Sequence, residues 1–165
     1  MLDILKYYIM ELIRNIEKKD IPYLKIVIDS TGLFPSELLD DMVADYLTNP
    51  NSANIWLTLE FDGIPVVIAY CAPERLTSGT YNLYLIAVLK EYQGKGLGAS
   101  MMQHIEELLR EQGHRILLVE TSGLPEFELT RKFYDKSNYQ REAVIREFYQ
   151  KGEDKIVFWK KLQDG

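Results

Sequence analysis

The stretch Gln93-Gly94-Lys95-Gly96-Leu97-Gly98-Ala99 carries three glycines at alternate positions. Glycines so spaced leave backbone N–H groups uncovered, and at the start of a helix those donors add to the helix dipole to form an anion site. A phosphate or pyrophosphate suits it. Two familiar phosphate patterns can be set against the stretch. The P-loop requires a Lys followed by Ser or Thr, and here Lys95 is followed by a glycine. The run Gly94-x-Gly96-x-x-Ala99 does match a relaxed dinucleotide fingerprint, with Glu120 standing where a ribose-binding acid would. That fingerprint places its first glycine almost directly after a strand, whereas Leu89-Lys90-Glu91-Tyr92-Gln93 intervene here. Of the 165 residues only 45 follow Glu120, too few for the further βα units such a fold needs.

The elements around the stretch follow from hydrophobic period. Tyr81–Val88 is rich in β-branched and aromatic residues and reads as a largely buried strand, the centre of a sheet. Between Gly96 and Glu111 the apolar residues Leu97, Met101, Ile105, Leu108 and Leu109 keep three-four spacing, which predicts an amphipathic helix stopped by Gly113. The glycine loop therefore joins a buried strand to a helix. Upstream, Ile55–Leu59 and Val66–Cys71 flank Asp62-Gly63 as a hairpin. Downstream come a short strand Ile116–Val119, a helix Glu128–Lys136 and a closing pair of strands, Tyr139–Ile145 and Lys155–Lys161. The first fifty residues predict a strand near Tyr7–Ile13 and helices over Asp20–Asp29 and Ser36–Leu47, with Asp20 and Ser36 as N-caps and Pro22 in a first turn. No linker or repeat divides the chain, so one α/β domain over residues 1–165 is expected.

Composition excludes several function classes. The chain is 47% hydrophobic and 27% charged, the balance of a folded globular domain. One cysteine and two histidines offer no cysteine-rich zinc site, and no metal is expected. Twenty-five acids against nineteen bases give −6, which argues against nucleic acid and favours a cationic or amine substrate. No apolar run reaches the roughly 18–20 residues of a membrane span, and Asp3 and Lys6 interrupt any secretory-signal pattern. No membrane partner is expected, and the expected location is cytoplasmic. Cys71, in an apolar strand without a basic neighbour, reads as a core residue and not a nucleophile. His104 and His114 receive no role, and Trp56 and Trp159 read as core or sheet residues.

The run Ile86-Ala87-Val88-x4-Gln93-x-x-Gly96-x-Gly98-Ala99 resembles motif A of the GNAT superfamily, the acetyl-CoA-dependent N-acetyltransferases. Thr130–Tyr139 resembles the family's later motif, a helix carrying a tyrosine and ending at a Gly-aromatic pair. Together the two span about residues 55–160 in the family's order. The pattern departs at Phe127, where relatives often have asparagine, and at Asn138, where they have glycine. Asparagine still tolerates a left-handed helix cap. The resemblance implies an α/β (α+β) fold with a mixed, mostly antiparallel central sheet flanked by helices on both faces.

It also implies direct transfer of acetyl from acetyl-CoA, as cosubstrate, to a primary amine. The main chain at Ile86, Ala87 and Val88 would take the pantetheine arm, and Gln93, Gly94, Lys95, Gly96, Leu97, Gly98 and Ala99 the pyrophosphate. Tyr134 matches the family's general acid. A phenol near pKa 10 protonates a departing thiolate only if it is positioned to do so. Glu120, ending the strand Ile116–Val119, matches a carboxylate that deprotonates the amine, with Glu74 and Tyr84 as alternatives. A small-molecule amine is the expected acceptor. A protein N-terminus or lysine, a non-catalytic acyl-CoA-binding module, a dinucleotide oxidoreductase and a homodimer through C-terminal edge strands stand as alternatives or additions.

Overall fold

The computed structural model describes residues 1–163. Twelve principal elements follow one another: α1 (Leu2–Glu11), β1 (Ile13–Asn15), α2 (Ile21–Thr31), α3 (Leu39–Thr48), β2 (Ile55–Phe61), β3 (Ile64–Pro73), β4 (Thr80–Val88), α4 (Leu97–Glu111), β5 (Ile116–Ser122), α5 (Glu128–Lys136), β6 (Gln140–Gln150) and β7 (Glu153–Lys161). The strands run in the order β1-β2-β3-β4-β5-β7-β6. The β1–β2, β2–β3, β5–β7 and β6–β7 pairs are antiparallel, and β4–β5 is parallel. This is the mixed, mostly antiparallel sheet expected. The chain clusters into two compact units, Met1–Ala72 with Leu85–Glu107, and Pro73–Tyr84 with the described residues from Leu108 onward.

In the first unit, α2 and α3 turn Leu24, Val27, Ile28, Leu39 and Val43 inward, where they pack with Trp56, Ile68, Leu85 and Ala87. The Asp62-Gly63 hairpin forms as read: both residues have positive φ, 50° and 78°, as a type I′ turn demands. Thr58, wholly buried in β2, satisfies its hydroxyl by donating to the Val67 carbonyl at 2.7 Å.

The N-terminal expectations need correction. Residues Leu2–Glu11 are helical, and only Ile13–Asn15 forms a strand, paired to Leu57–Leu59. Short apolar runs fit both periods, and here the helix prevails, with Asp3 favourable in its first turn. Ser36 lies inside a 3₁₀ turn preceding α3 and is not its N-cap. Asp20 makes no capping bond to α2 either. Its carboxylate accepts both Arg14 Nη groups, at 2.7 and 2.9 Å, and the Glu17 N–H at 2.7 Å, while Arg14 also reaches Glu60.

The Arg14 guanidinium holds the Asp20 carboxyl below its usual range. Asp20→Asn should therefore lower unfolding stability by about 1–2 kcal/mol, because it removes the buried carboxylate from a partly buried guanidinium that then keeps only Glu60. The loss should be greatest near pH 7. Asp20's folded pKa is depressed, so its contribution is complete above the unfolded value near 4 and disappears as pH falls through the lower folded value. Denaturant titrations of both proteins at neutral and acid pH check this.

The second unit contains the first half of β4, β5, β7 and β6, with α5. The parallel ladder between β4 and β5 runs from Thr80/Ile116 to Leu83/Val119, whereas β4 itself continues to Val88 and β5 to Ser122. Helix α5 ends with Asn138 at φ 64°, and the Tyr139 N–H bonds the Tyr134 carbonyl at 3.1 Å. The departure from glycine at this cap is thus accommodated as expected. No helix among the described residues is long and apolar enough to cross a membrane.

Candidate active site

The first unit carries the glycine loop. β4 alternates, with Leu85 and Ala87 buried in the core and Ile86 and Val88 partly exposed. After Val88 the chain makes a 3₁₀ turn at Lys90–Tyr92, and residues 93–96 then lead into α4. The turn is tied down on several sides. The Leu89 N–H donates to the Val66 carbonyl, the Lys90 N–H to the Ser30 hydroxyl, and Tyr92 stacks on Phe61 at 5.5 Å. Gln93 Nε2 donates to the Val88 carbonyl at 3.1 Å, so this side chain braces the loop against the strand.

Gly94 and Gly96 have φ of 74° and 81°, a conformation open to glycine and costly for other residues. A Cβ on either would meet nothing within 4 Å, so the space beside both is open. The first α-helical bond runs from the Ser100 N–H to the Gly96 carbonyl. The Leu97, Gly98 and Ala99 N–H groups precede it, outside the helix ladder, at the positive end of the α4 dipole. This is the donor set and open ground a diphosphate requires. Lys95, expected to add charge, holds its ammonium 5.0 Å over the Tyr92 ring.

The second unit carries a cluster of polar side chains. Asn82, fully buried in β4, divides its amide between two carboxylates, with Nδ2 donating to Glu74 Oε1 at 2.8 Å and to Glu120 Oε1 at 3.0 Å. The Tyr84 hydroxyl donates to the same Glu74 oxygen at 2.7 Å. Lys155, buried at the start of β7's ladder with β5, pairs with Glu120 Oε2 at 2.9 Å and lies 3.6 Å from the Phe148 ring centroid. These hydrogen bonds from Asn82 and Tyr84 hold the Glu74 carboxyl below its usual range. Burial and the charges of Glu120 and Glu153 push the Tyr149 phenol up. Glu74 and Glu120 thus share a partly exposed cluster with the Lys155 ammonium, and the charge of Arg75 also reaches Glu74.

Tyr134, on α5, is only 3% exposed and sits among Phe133, Tyr139 and Phe158, at ring separations of 5.3–5.9 Å. Glu120 and its alternatives Glu74 and Tyr84 prove to be members of one cluster. Sequence reasoning missed Asn82 and Lys155. Asn82 had a signal, since a polar residue inside the apolar run Tyr81–Val88 must find partners once buried. Lys155 had none, because its importance depends on pairing across β5 and β7. Cys71 is wholly buried with its thiol pushed up by burial, which suits a core residue. His114 packs on Tyr81 at 4.4 Å.

Residues 13–139 match the sequence profile of the acetyltransferase (GNAT) family. An uncharacterized N-acetyltransferase of Methanocaldococcus jannaschii is 27% identical over 111 residues, covering 66% of this chain and 67% of that one. A solved structure from Desulfovibrio desulfuricans, assigned to the GNAT family, superposes with a TM-score of 0.87 at 29% identity, covering 92% of this chain and 98% of its own. An aminoglycoside 6′-N-acetyltransferase solved with coenzyme A shares the fold, with a TM-score of 0.74 at 14% identity over 93% of this chain and 98% of that one.

Proposed function

This chain belongs to the acetyltransferase (GNAT) family, and from that premise we propose that it carries acetyl from acetyl-CoA directly to the primary amine of a small molecule. The family makes it an acyltransferase with acetyl-CoA as cosubstrate. When bound, acetyl-CoA supplies an acetyl group activated as a thioester. The Leu97, Gly98 and Ala99 N–H groups, with the glycines before them, hold its diphosphate. Past the last β4 residue paired with β5, the main chain of Ile86 and Val88 holds the pantetheine arm as an added strand would be held. Gln93 occupies the Val88 carbonyl, so Val88 contributes its N–H.

The observation that carries the acceptor reading is the pair of carboxylates joined through Asn82. An amine arrives at neutral pH as an ammonium and must lose a proton before it is nucleophilic. Glu74 and Glu120 together attract the cation, and Glu120 takes the proton through water. Asn82 and Lys155 hold both Glu120 oxygens in place. A second reading gives the base to Glu74, because its Oε2 takes none of these contacts while both oxygens of Glu120 are engaged. Tyr134 returns a proton to the sulfur that leaves.

Release of free thiol from acetyl-CoA, followed with a panel of small primary amines and a panel of peptides bearing free N-termini or lysines, tests the reading. Turnover with a small amine above the rate without acceptor is the expected result. Turnover confined to the peptides would transfer the activity to protein acetylation.

A further inference from the structure

Strand β6 ends the sheet order, and all eleven of its residues are exposed. It nevertheless carries Val144, Ile145, Phe148 and Tyr149, each 44–59% exposed. A long edge strand that shows apolar side chains and a free row of backbone donors and acceptors is a template for another chain. Its ladder with β7 is irregular between Arg141 and Ala143 and again between Ile145 and Gln150. These irregularities bracket Ala143–Ile145 as the stretch regular enough to pair outward.

We infer that this stretch pairs with the same stretch of a second copy of the chain, antiparallel and two-fold about Val144. The argument is the charge pattern Arg141-Glu142-Ala143-Val144-Ile145-Arg146-Glu147, which is its own complement when reversed. With Val144 opposite the second copy's Val144, Glu142 faces Arg146, Arg141 faces Glu147, and Ala143 faces Ile145. Opposite charges directly across an antiparallel pair are favourable, and like charges are not.

Other registers fail. A slip of one residue in either direction sets Arg141 opposite Arg146 or Glu142 opposite Glu147. A slip of two sets Glu142 against an apolar residue, and a parallel pairing in register sets each charge against its like. Arg141 is already paired with Asp135, and Glu147 accepts the Gly152 N–H. Glu142 and Arg146 have no ion-pair partner among the described residues and so carry the specificity. Two-fold symmetry makes each of their contacts twice, so one substitution is felt at two places.

Sedimentation equilibrium of the full chain tests this. Wild type should show a reversible monomer–dimer equilibrium with a Kd on the order of micromolar, as a short interface allows. Glu142→Arg and Arg146→Glu should each weaken it at least ~10-fold by setting like charges opposite one another. The double variant Glu142→Arg/Arg146→Glu, which exchanges the charges, should restore dimerisation to within about threefold of wild type. All three positions of failure are informative. A wild type monomeric at about 100 μM, a dimer indifferent to either single reversal, or a double variant that stays monomeric would overturn the pairing. Thermal melts of each variant confirm that the exposed substitutions leave the fold intact.

Discussion

Glutamate in place of Gly96 should abolish acetyl-CoA binding measured by calorimetry, weakening it at least ~100-fold, while the fold is retained and unfolding stability falls only by the backbone strain. Two effects combine. At φ 81° any residue with a Cβ is strained by roughly 1–2 kcal/mol, which disturbs the entry into α4. The new carboxylate also places a negative charge at the helix N-terminus, where the loop is proposed to receive a diphosphate. Core packing is not disturbed, because the added Cβ meets nothing within 4 Å. Gly96→Ala separates the two effects, since it retains the strain without the charge and should lose less affinity. Unchanged binding in the glutamate variant would remove the loop from the cofactor site.

Tyr134→Phe should reduce kcat about 100-fold or more, the usual contribution of a positioned proton donor, while the Kd for acetyl-CoA stays within about twofold. The substitution keeps the ring, and with it the packing on Phe133, Tyr139 and Phe158, so the fold should be retained. Pre-steady-state thiol release with an identified acceptor checks the rate, and calorimetry checks the binding. A variant with wild-type kcat would make Tyr134 a packing residue alone and send the search for the proton donor elsewhere.

Much of the fold was legible from period and punctuation. The β2–β3 hairpin, β4, α4 and α5 appear where alternation, three-four spacing and Asp-Gly or Gly signals place them. The glycine loop was legible for a related reason. Positive φ at Gly94 and Gly96 and a helix N-terminus are local properties, determined by residues within one turn of one another. The Asn138 cap is of the same kind. Where local signals were ambiguous, reading failed: Leu2–Glu11 is helical, and Asp20 serves Arg14 in place of an α2 cap. Asp20 lies six residues from Arg14, and Arg14's second acid, Glu60, lies on another strand. No spacing rule connects the three.

The sequence by itself determined a mixed α/β fold and a glycine loop between β4 and α4 whose torsions suit glycine. Its near-palindromic charges also contained the pairing proposed for β6. Only tertiary structure decided that Glu74 and Glu120 share one amide, that Lys155 pairs with Glu120, and that Tyr134 is enclosed by three rings. The physical reason is range. Backbone torsions and helix-end donors depend on neighbours along the chain, whereas the environment of a buried side chain depends on which strands lie side by side. That register is chosen by the apolar pattern of whole strands, and the polar groups are then brought together by it.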